Sequence, residues 1–288
     1  MSIRLRFAIT KDGERVEPQR DIEAFCPVCN KPLVAKLGLV NAHHWAHKNG
    51  VKCSDTWLSP ETKWHRNWKD KFPKEWQEIR CKDNETGEIH IADVKTTSGF
   101  VIEFQHSPIE LEEIESRENF YKDMLWVLDL GKPGYRNLLT SKHFRGEFDN
   151  FGFRCTNLNE LIPPEWINRN SIICLDYLGN SELYEFRQIY CLIPTGYKDA
   201  TYLYELGRED FITGIVNNKL VVDLKERKEK IQEPFRFSKT LRALNEKGIH
   251  LNQLNKSHNQ QYQSRTYSES EWQKIKTIQK HTTDLITN

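Results

Sequence analysis

Hydrophobic and polar positions alternate with a period of two at the start of the chain and again between residues 76 and 105. Residues 3–9 alternate in this way, and the turn-forming run Lys11-Asp12-Gly13 follows them, which predicts an N-terminal β-hairpin. Further segments have the alternation or the apolar run that is typical of strands: residues 76–81, 88–95, 100–105 and 124–128. The first three of these segments predict a meander, and the fourth predicts a strand that is buried on both faces.

Two helices are predicted in the sequence, one before the first of these strands and one between the third and the fourth. The Ser-Pro-Glu run at residues 59–61 is a typical helix start, with serine as N-cap, and the predicted helix ends near residue 72, before a proline. A second helix is predicted from residues 107–108 to about residue 121. The order helix, three strands, helix, strand predicts an α/β (α+β) fold in which helices flank a mixed sheet.

The region after residue 131 has a different pattern. Strands are predicted at residues 171–177, 183–193, 201–206 and 219–224, and a charged helix at residues 225–232. From residue 236 onward, nine basic residues stand against four acidic ones in a polar stretch. We therefore divide the chain into an N-terminal hairpin and Cys/His module (1–56), a core (57–131), a β-rich accessory domain (132–235) and a basic, partly helical tail (236–288).

Composition narrows the possible classes of protein. The 288 residues are 38% hydrophobic and 29% charged, which excludes a wholly disordered or collagen-like chain. The net charge of +1 provides no global field toward nucleic acid, so any such binding must come from local patches. No apolar run is long enough to span a membrane and the start of the chain is polar, so we expect a cytoplasmic protein without membrane contact.

The seven cysteines are odd in number, and some of them cluster with histidines. This distribution favours reduced thiols and a metal site over a disulfide framework. The Cys-Pro-Val-Cys run and the His-His-Trp-Ala-His run suit a tetrahedral, structural Zn²⁺ ion. We expect the ligands to be Cys26, Cys29, His44 and His47, with His43 and Cys53 as alternatives.

The meander carries a pair of acids. If Thr97-Ser98-Gly99 forms a three-residue hairpin loop, the register places Asp93 directly across from Glu103. Cross-strand β-carbons lie about 5 Å apart, so the two carboxylates could share one divalent ion. Glu103 and Gln105 leave the same face of their strand.

The helix that precedes the meander adds further candidates. Glu61, His65 and Lys69 form one row at i, i+4 and i+8. A neighbouring row of aromatic residues can anchor the helix to the sheet. Such a polar row is also typical of a solvated helix face, and its conjunction with Asp93 and Glu103 is what favours a cleft.

Taken together, these motifs resemble the CoiA-like competence nucleases, whose core belongs to the PD-(D/E)xK superfamily. The resemblance covers about residues 25–130. It rests on the Cys/His motifs, on Glu61, His65 and Lys69, on Ala92-Asp93, on the Glu-Phe-Gln-His-Ser run at residues 103–107, and on Arg117 with Tyr121.

This resemblance implies a metal-dependent deoxyribonuclease with a PD-(D/E)xK-like mixed sheet. It implies that Asp93 and Glu103 bind Mg²⁺ or Mn²⁺, that Glu61 is an auxiliary acid, and that Gln105 stands where the superfamily usually has lysine. Lys95, Lys69 or His65 could supply the missing positive charge. We also place Ser107, Arg117, Tyr121 and Lys69 in contact with substrate.

Two other functions fit the same residues. Gln105 and the neutral overall charge favour a catalytically inactive DNA-binding or scaffold protein that retains the nuclease fold. An RNA-directed nuclease would use the same chemistry on a different substrate. A helicase, ATPase or recombination protein is a conceivable partner, and DNA uptake, processing or defence are conceivable contexts.

Overall fold

A computed structural model gives the structure of the chain. It describes residues 4–38, 42–48, 51–57, 61–131, 144–177, 188–195 and 201–246, with side chains up to residue 233. Within these ranges, no helix combines the length and the apolar character needed to cross a lipid bilayer. The predicted Ser59 cap and most of the predicted basic tail lie outside the described residues.

The N-terminal module consists of two small sheets. Strands β1 (Ala8–Thr10), β2 (Arg15–Val16) and β3 (Ala24–Phe25) form an antiparallel sheet in the order β2-β1-β3. Strands β4 (Leu33–Lys36) and β5 (His44–His47) form a separate hairpin. The β1–β2 pairing across the turn confirms the predicted N-terminal hairpin.

A nine-stranded mixed sheet dominates the rest of the structure. Its order is β10-β11-β14-β13-β12-β9-β8-β7-β6. The strands are β6 (Gln77–Lys82), β7 (Ile89–Lys95), β8 (Val101–Gln105), β9 (Met124–Asp129), β10 (Gly146–Asp149), β11 (Gly152–Cys155), β12 (Ile172–Asp176), β13 (Gln188–Pro194) and β14 (Thr201–Gly207). Strands β6, β7 and β8 form the predicted antiparallel meander, and β8, β9 and β12 run parallel.

In the described part of the chain, four α-helices cover the two faces of this sheet: α1 (Lys63–Lys69), α2 (Leu111–Tyr121), α3 (Arg208–Val216) and α4 (Lys219–Glu246). Buried side chains of α1, α3 and α4 share one hydrophobic core with β8, β9, β12 and β13. Ile114 of α2 packs in a second core on the opposite face. The predicted mixed sheet with flanking helices is therefore confirmed.

The sheet continues across the predicted domain boundary at residue 131. Strand β12 pairs in parallel with β9, so the β-rich region extends the sheet of the core. Residues 219–224 are helical, although their apolar residues predicted a strand. A short apolar run fits a buried strand and the buried side of a helix equally well, and here the run packs against the sheet from α4.

A buried carboxylate fixes α1 on the sheet. The indole N–H groups of Trp64 and Trp68 donate to Oδ2 of Asp176, at 2.9 and 2.7 Å. Arg208 approaches the other oxygen of Asp176 at 3.3 Å and covers the ring of Trp68. Both tryptophans lie on the side of α1 that packs on the sheet, and the buried residues His65 and Lys69 lie on the neighbouring row of the helix.

We expect Asp176→Ala to lower the free energy of unfolding by roughly 3–5 kcal/mol, because it leaves Arg208 and two indole N–H groups without their shared acceptor. Chemical denaturation monitored by tryptophan fluorescence measures this loss. The control is Asp223→Ala, which breaks a partly exposed ion pair with Arg227 on α4 and should cost less than about 1 kcal/mol. Equal losses in the two variants would contradict the anchoring role.

Candidate functional site

Three cysteines and one histidine converge in the N-terminal module. Sγ atoms of Cys26, Cys29 and Cys53 and a ring nitrogen of His47 all lie within 4.8 Å of one another. Cys26 Sγ is 3.7 Å from Cys53 Sγ, and Cys29 Sγ is 3.2 Å from Nε2 of His47. Such a set of four ligands could hold one metal ion.

The chemistry of this set fits zinc. A tetrahedral ion with Zn–S bonds of about 2.3 Å separates its sulfur ligands by roughly 3.8 Å, close to the observed spacing of Cys26 and Cys53. The hydrogen bond between the two thiols lowers the pKa of Cys53 to about 6 and raises the pKa of Cys26 well above its ordinary value, so the pair gives up one proton easily and keeps the other. Burial lowers the pKa of His47, which favours the neutral imidazole that a metal ligand needs, and four protein ligands are typical of a structural ion.

One predicted ligand is wrong. His44 and His47 belong to strand β5, and residues three apart in a strand point to opposite faces. Nδ1 of His44 lies 2.9 Å from the carbonyl oxygen of Ala42, away from the cluster. Cys53, the sequence-based alternative, takes the fourth position. The alternative His43 is exposed and does not join the cluster.

A second polar site lies where α1 faces the β6–β7–β8 meander. A small cavity of about 50 Å³ opens there. Its charged lining comprises four carboxylates and three cationic side chains: Glu61, Glu78, Asp93, Glu103, Arg4, Lys69 and Arg117. His65, Trp57 and Gln105 also line the cavity. Four acids close together in a half-enclosed space are unusual unless cations compensate them.

Asp93 and Glu103 meet across the hairpin. The ladder pairs Val94 with Ile102 and Lys95 with Val101, and the next pair in this register is Asp93 opposite Glu103. There the backbone ladder gives way to side-chain bonds. The N–H of Asp93 donates to Oε1 of Glu103 at 3.1 Å, and the N–H of Phe104 donates to Oδ2 of Asp93 at 3.0 Å. Both carboxylates are thus held between the two strands at the cavity.

Glu103 is buried beside a like charge. It is 2% exposed, and Nη1 of Arg117 donates to its Oε2 at 2.8 Å. Burial and the charge of Asp93 raise the pKa of Glu103 to about 8, although Arg117 opposes the shift. A divalent cation between the two carboxylates would relieve this repulsion, and carboxylate oxygens are the ligands that Mg²⁺ and Mn²⁺ prefer. The donor set therefore fits such an ion.

Lys69 is a buried cation of the cavity with three carboxylate neighbours. Its Nζ lies 2.6 Å from Glu61, 2.7 Å from Glu78 and 3.8 Å from Asp93. Burial lowers the pKa of Lys69, but Glu78 and Glu61 outweigh this effect and raise the pKa above its ordinary value. The ammonium group therefore remains charged.

The polar row of Glu61, His65 and Lys69 lines the cavity, but its three members differ in their hydrogen-bond partners. Thr62, not Ser59, caps the helix, so Glu61 lies just before the first turn. Nε2 of His65 lies 2.7 Å from the carbonyl oxygen of Phe104, and its Nδ1 lies 2.8 Å from the hydroxyl of Thr62. With both ring nitrogens engaged and its pKa lowered by burial, His65 braces strand β8 against the helix.

Some of the other predicted site residues line the cavity, and others do not. Gln105 lines it, and its amide N–H donates to the carbonyl oxygen of Ser107 at 2.6 Å. Arg117 lines it as well, whereas Ser107, Tyr121 and Lys95 do not. Nζ of Lys95 lies 3.7 Å from Sγ of Cys81. The structure therefore brings Lys69, rather than Lys95, to the acids.

Sequence reasoning missed Glu78. It lies in β6, between pairs that join Gln77 to Val94 and Ile79 to Ala92, so it stands opposite Asp93. Its φ of +47° is in the left-handed region, which costs a residue other than glycine on the order of 1–3 kcal/mol. The register of the first hairpin of the meander was the one signal that could have found it.

We expect the chain to bind one zinc ion, and Cys53→Ser to lose it because three ligands no longer close a tetrahedron. His44→Ala should keep the ion, since His44 lies outside the cluster. Atomic emission analysis of the purified proteins measures the zinc content, and thermal unfolding with and without a chelator measures its effect on stability. Loss of zinc in His44→Ala, or its retention in Cys53→Ser, would reverse the assignment.

Comparison with known proteins bears on the N-terminal module alone. Residues 11–55 match the family described as competence protein CoiA, N-terminal domain. Comparison with curated proteins and with solved structures gave no match. The matched segment contains all four members of the Cys26-Cys29-His47-Cys53 cluster. The match confirms the resemblance of this chain to the CoiA-like competence proteins, over residues 11–55.

Proposed function

We propose that this chain is a metal-dependent nuclease that hydrolyses phosphodiester bonds in DNA, in a competence-related role. The observation that carries the proposal is the meeting of Asp93 and Glu103 at the cavity, where each carboxylate accepts an N–H from the other strand. This arrangement holds two carboxyl groups side by side, and a hard divalent cation bound between them would keep both ionised. The match of residues 11–55 to the CoiA N-terminal domain supports the competence-related role.

Asp93 and Glu103 would hold the Mg²⁺ or Mn²⁺ ion. When bound, such an ion polarises the scissile phosphate and acidifies a water molecule. Arg117 keeps the Glu103 carboxylate in place, because it also donates to Glu113 and to the carbonyl oxygen of Trp57, at 2.9 Å. The site is thus preorganised before any ligand enters.

Lys69 is the group that we assign to the role usually filled by lysine two residues after the glutamate. Its ammonium is buried and charged, and it lies 3.8 Å from Asp93. From there it can counter negative charge that develops on the phosphate. Gln105 is neutral and therefore cannot supply this charge, and its amide N–H donates to the carbonyl oxygen of Ser107.

One specific observation favours the alternative function, an inactive DNA-binding protein: the side chain of Gln105 is neutral. An inactive DNA-binding protein with a nuclease fold would keep the acids for folding and would need no charge at this position. Binding without cleavage in every metal tested would favour it. The choice of DNA over RNA rests on the family resemblance, so both labelled polymers belong in the assay.

We expect purified protein to nick plasmid DNA with Mg²⁺ or Mn²⁺, and Asp93→Asn and Glu103→Gln to lower the rate at least about 100-fold, because each removes a charged ligand. Agarose gel analysis of supercoiled, nicked and linear DNA measures the rate. Asp83→Asn, in the exposed turn between β6 and β7, is a matched control and should cut like the wild type. Cleavage that survives in both acid variants would exclude the assigned site.

We expect Lys69→Met to lower the cleavage rate by about 100-fold, since its charge is the one near Asp93. Lys95→Met tests the competing sequence-based candidate and should have little effect. Lys63→Met, an exposed position on the same helix, controls for the loss of a lysine from α1. The three rates are compared at saturating metal. A large effect of Lys95→Met with a small effect of Lys69→Met would contradict our assignment.

A further inference from the structure

The carboxylate of Glu78 joins two parts of the molecule. Its Oε1 accepts from Nζ of Lys69 at 2.7 Å. Its Oε2 accepts from the backbone N–H groups of Arg6 and Phe7, at 2.9 and 3.2 Å. Glu78 is 8% exposed, so these bonds form away from solvent. One side chain therefore fixes the cationic centre of the cavity to the N-terminal segment.

The backbone at Glu78 shows that this position is specified. A non-glycine residue with φ of +47° inside an antiparallel strand is strained, and such strain persists where surrounding contacts enforce it. Here the enforcing contacts are the two backbone N–H groups and the ammonium of Lys69. In this conformation the carboxylate of Glu78 lines the cavity and accepts from Lys69.

Three carboxylates compete for one ammonium. Lys69 Nζ is close to Glu61 and Glu78 and about 1 Å farther from Asp93, at 2.6, 2.7 and 3.8 Å. If Glu78 lost its charge, the pull from Glu61 and Asp93 would remain and the ammonium would move toward them. An ammonium paired with Asp93 would compete with a divalent cation for the same oxygens.

We propose that Glu78 is a positioning residue, which holds the Lys69 ammonium off the carboxylate of Asp93 and so keeps that carboxylate available for the metal. This inference rests on the proposed function, because it takes Asp93 as a metal ligand. It assigns Glu78 a role through Lys69, with no contact to the substrate. The bonds to Arg6 and Phe7 make this role depend on the N-terminal segment.

The experiment measures Mn²⁺ binding to the zinc-loaded full chain by electron paramagnetic resonance, without nucleic acid. We expect Glu78→Gln to weaken binding by about 10- to 100-fold, the usual effect of losing a group that orients a ligand. Lys69→Met should tighten binding, because it removes the competitor. The double variant should bind as Lys69→Met does, since Glu78 then has no ammonium to restrain.

Control variants distinguish the positioning role of Glu78 from a purely structural role and from a role as a metal ligand. Glu75→Gln replaces an exposed glutamate three residues earlier and should leave Mn²⁺ binding unchanged. Unchanged binding in Glu78→Gln, with only a lower melting temperature, would mean that Glu78 is purely structural and would overturn the inference. A double variant as weak as Glu78→Gln would mean that Glu78 is itself a ligand, which also overturns it.

The same measurements distinguish failure here from failure of the proposed function. If the wild type binds Mn²⁺, Asp93→Asn abolishes binding and Glu78→Gln does not weaken it, then only the role of Glu78 is wrong. If Asp93→Asn binds Mn²⁺ as the wild type does, the metal site itself is wrong and both proposals fall. Neither reading depends on whether the protein cuts DNA under the conditions chosen.

Discussion

The structure depends on charged side chains that are buried in the protein. They must neutralise one another there, and a single partner is not sufficient for any of them. Glu103 is enclosed with Arg117, and Lys69 is enclosed among three carboxylates. An unpaired charge in such a place would cost several kcal/mol, so each group must find its partners within the protein. The left-handed backbone at Glu78, the side-chain hydrogen bonds that join β7 to β8 at Asp93 and Glu103, and the ion pairs of Lys69 on α1 all bring such partners together.

Local patterns were sufficient to predict the meander and its register. Gly99 adopts a φ of +86°, as the predicted three-residue loop requires, and that loop alone sets Asp93 opposite Glu103. The helix row of Glu61, His65 and Lys69 also follows from spacing along the chain. These features depend on residues that are close in sequence, where turn chemistry and periodicity are strong signals.

Features that depend on distant residues could not be predicted in this way. Cys53 replaces His44 in the cluster because residues 44–47 form a strand, which a list of metal-binding residues does not reveal. Glu78 enters the cavity through a backbone conformation that no propensity indicates. The junction of β9 with β12, 43 or more residues apart, joins regions that composition had separated.

The module that could hold zinc and the cavity proposed to hold magnesium share structural supports. Leu5 pairs with Trp45, two residues before His47 of the Cys/His cluster, and the next two residues, Arg6 and Phe7, donate to Glu78. Asp55, two residues after Cys53 of the same cluster, accepts from the N–H of Ile91 in β7, and the carbonyl oxygen of Trp57 accepts from Arg117. Loss of zinc would therefore loosen the restraints on Lys69 and Glu103. A chelator that abolishes cleavage would not identify zinc as the ion that acts on the phosphate.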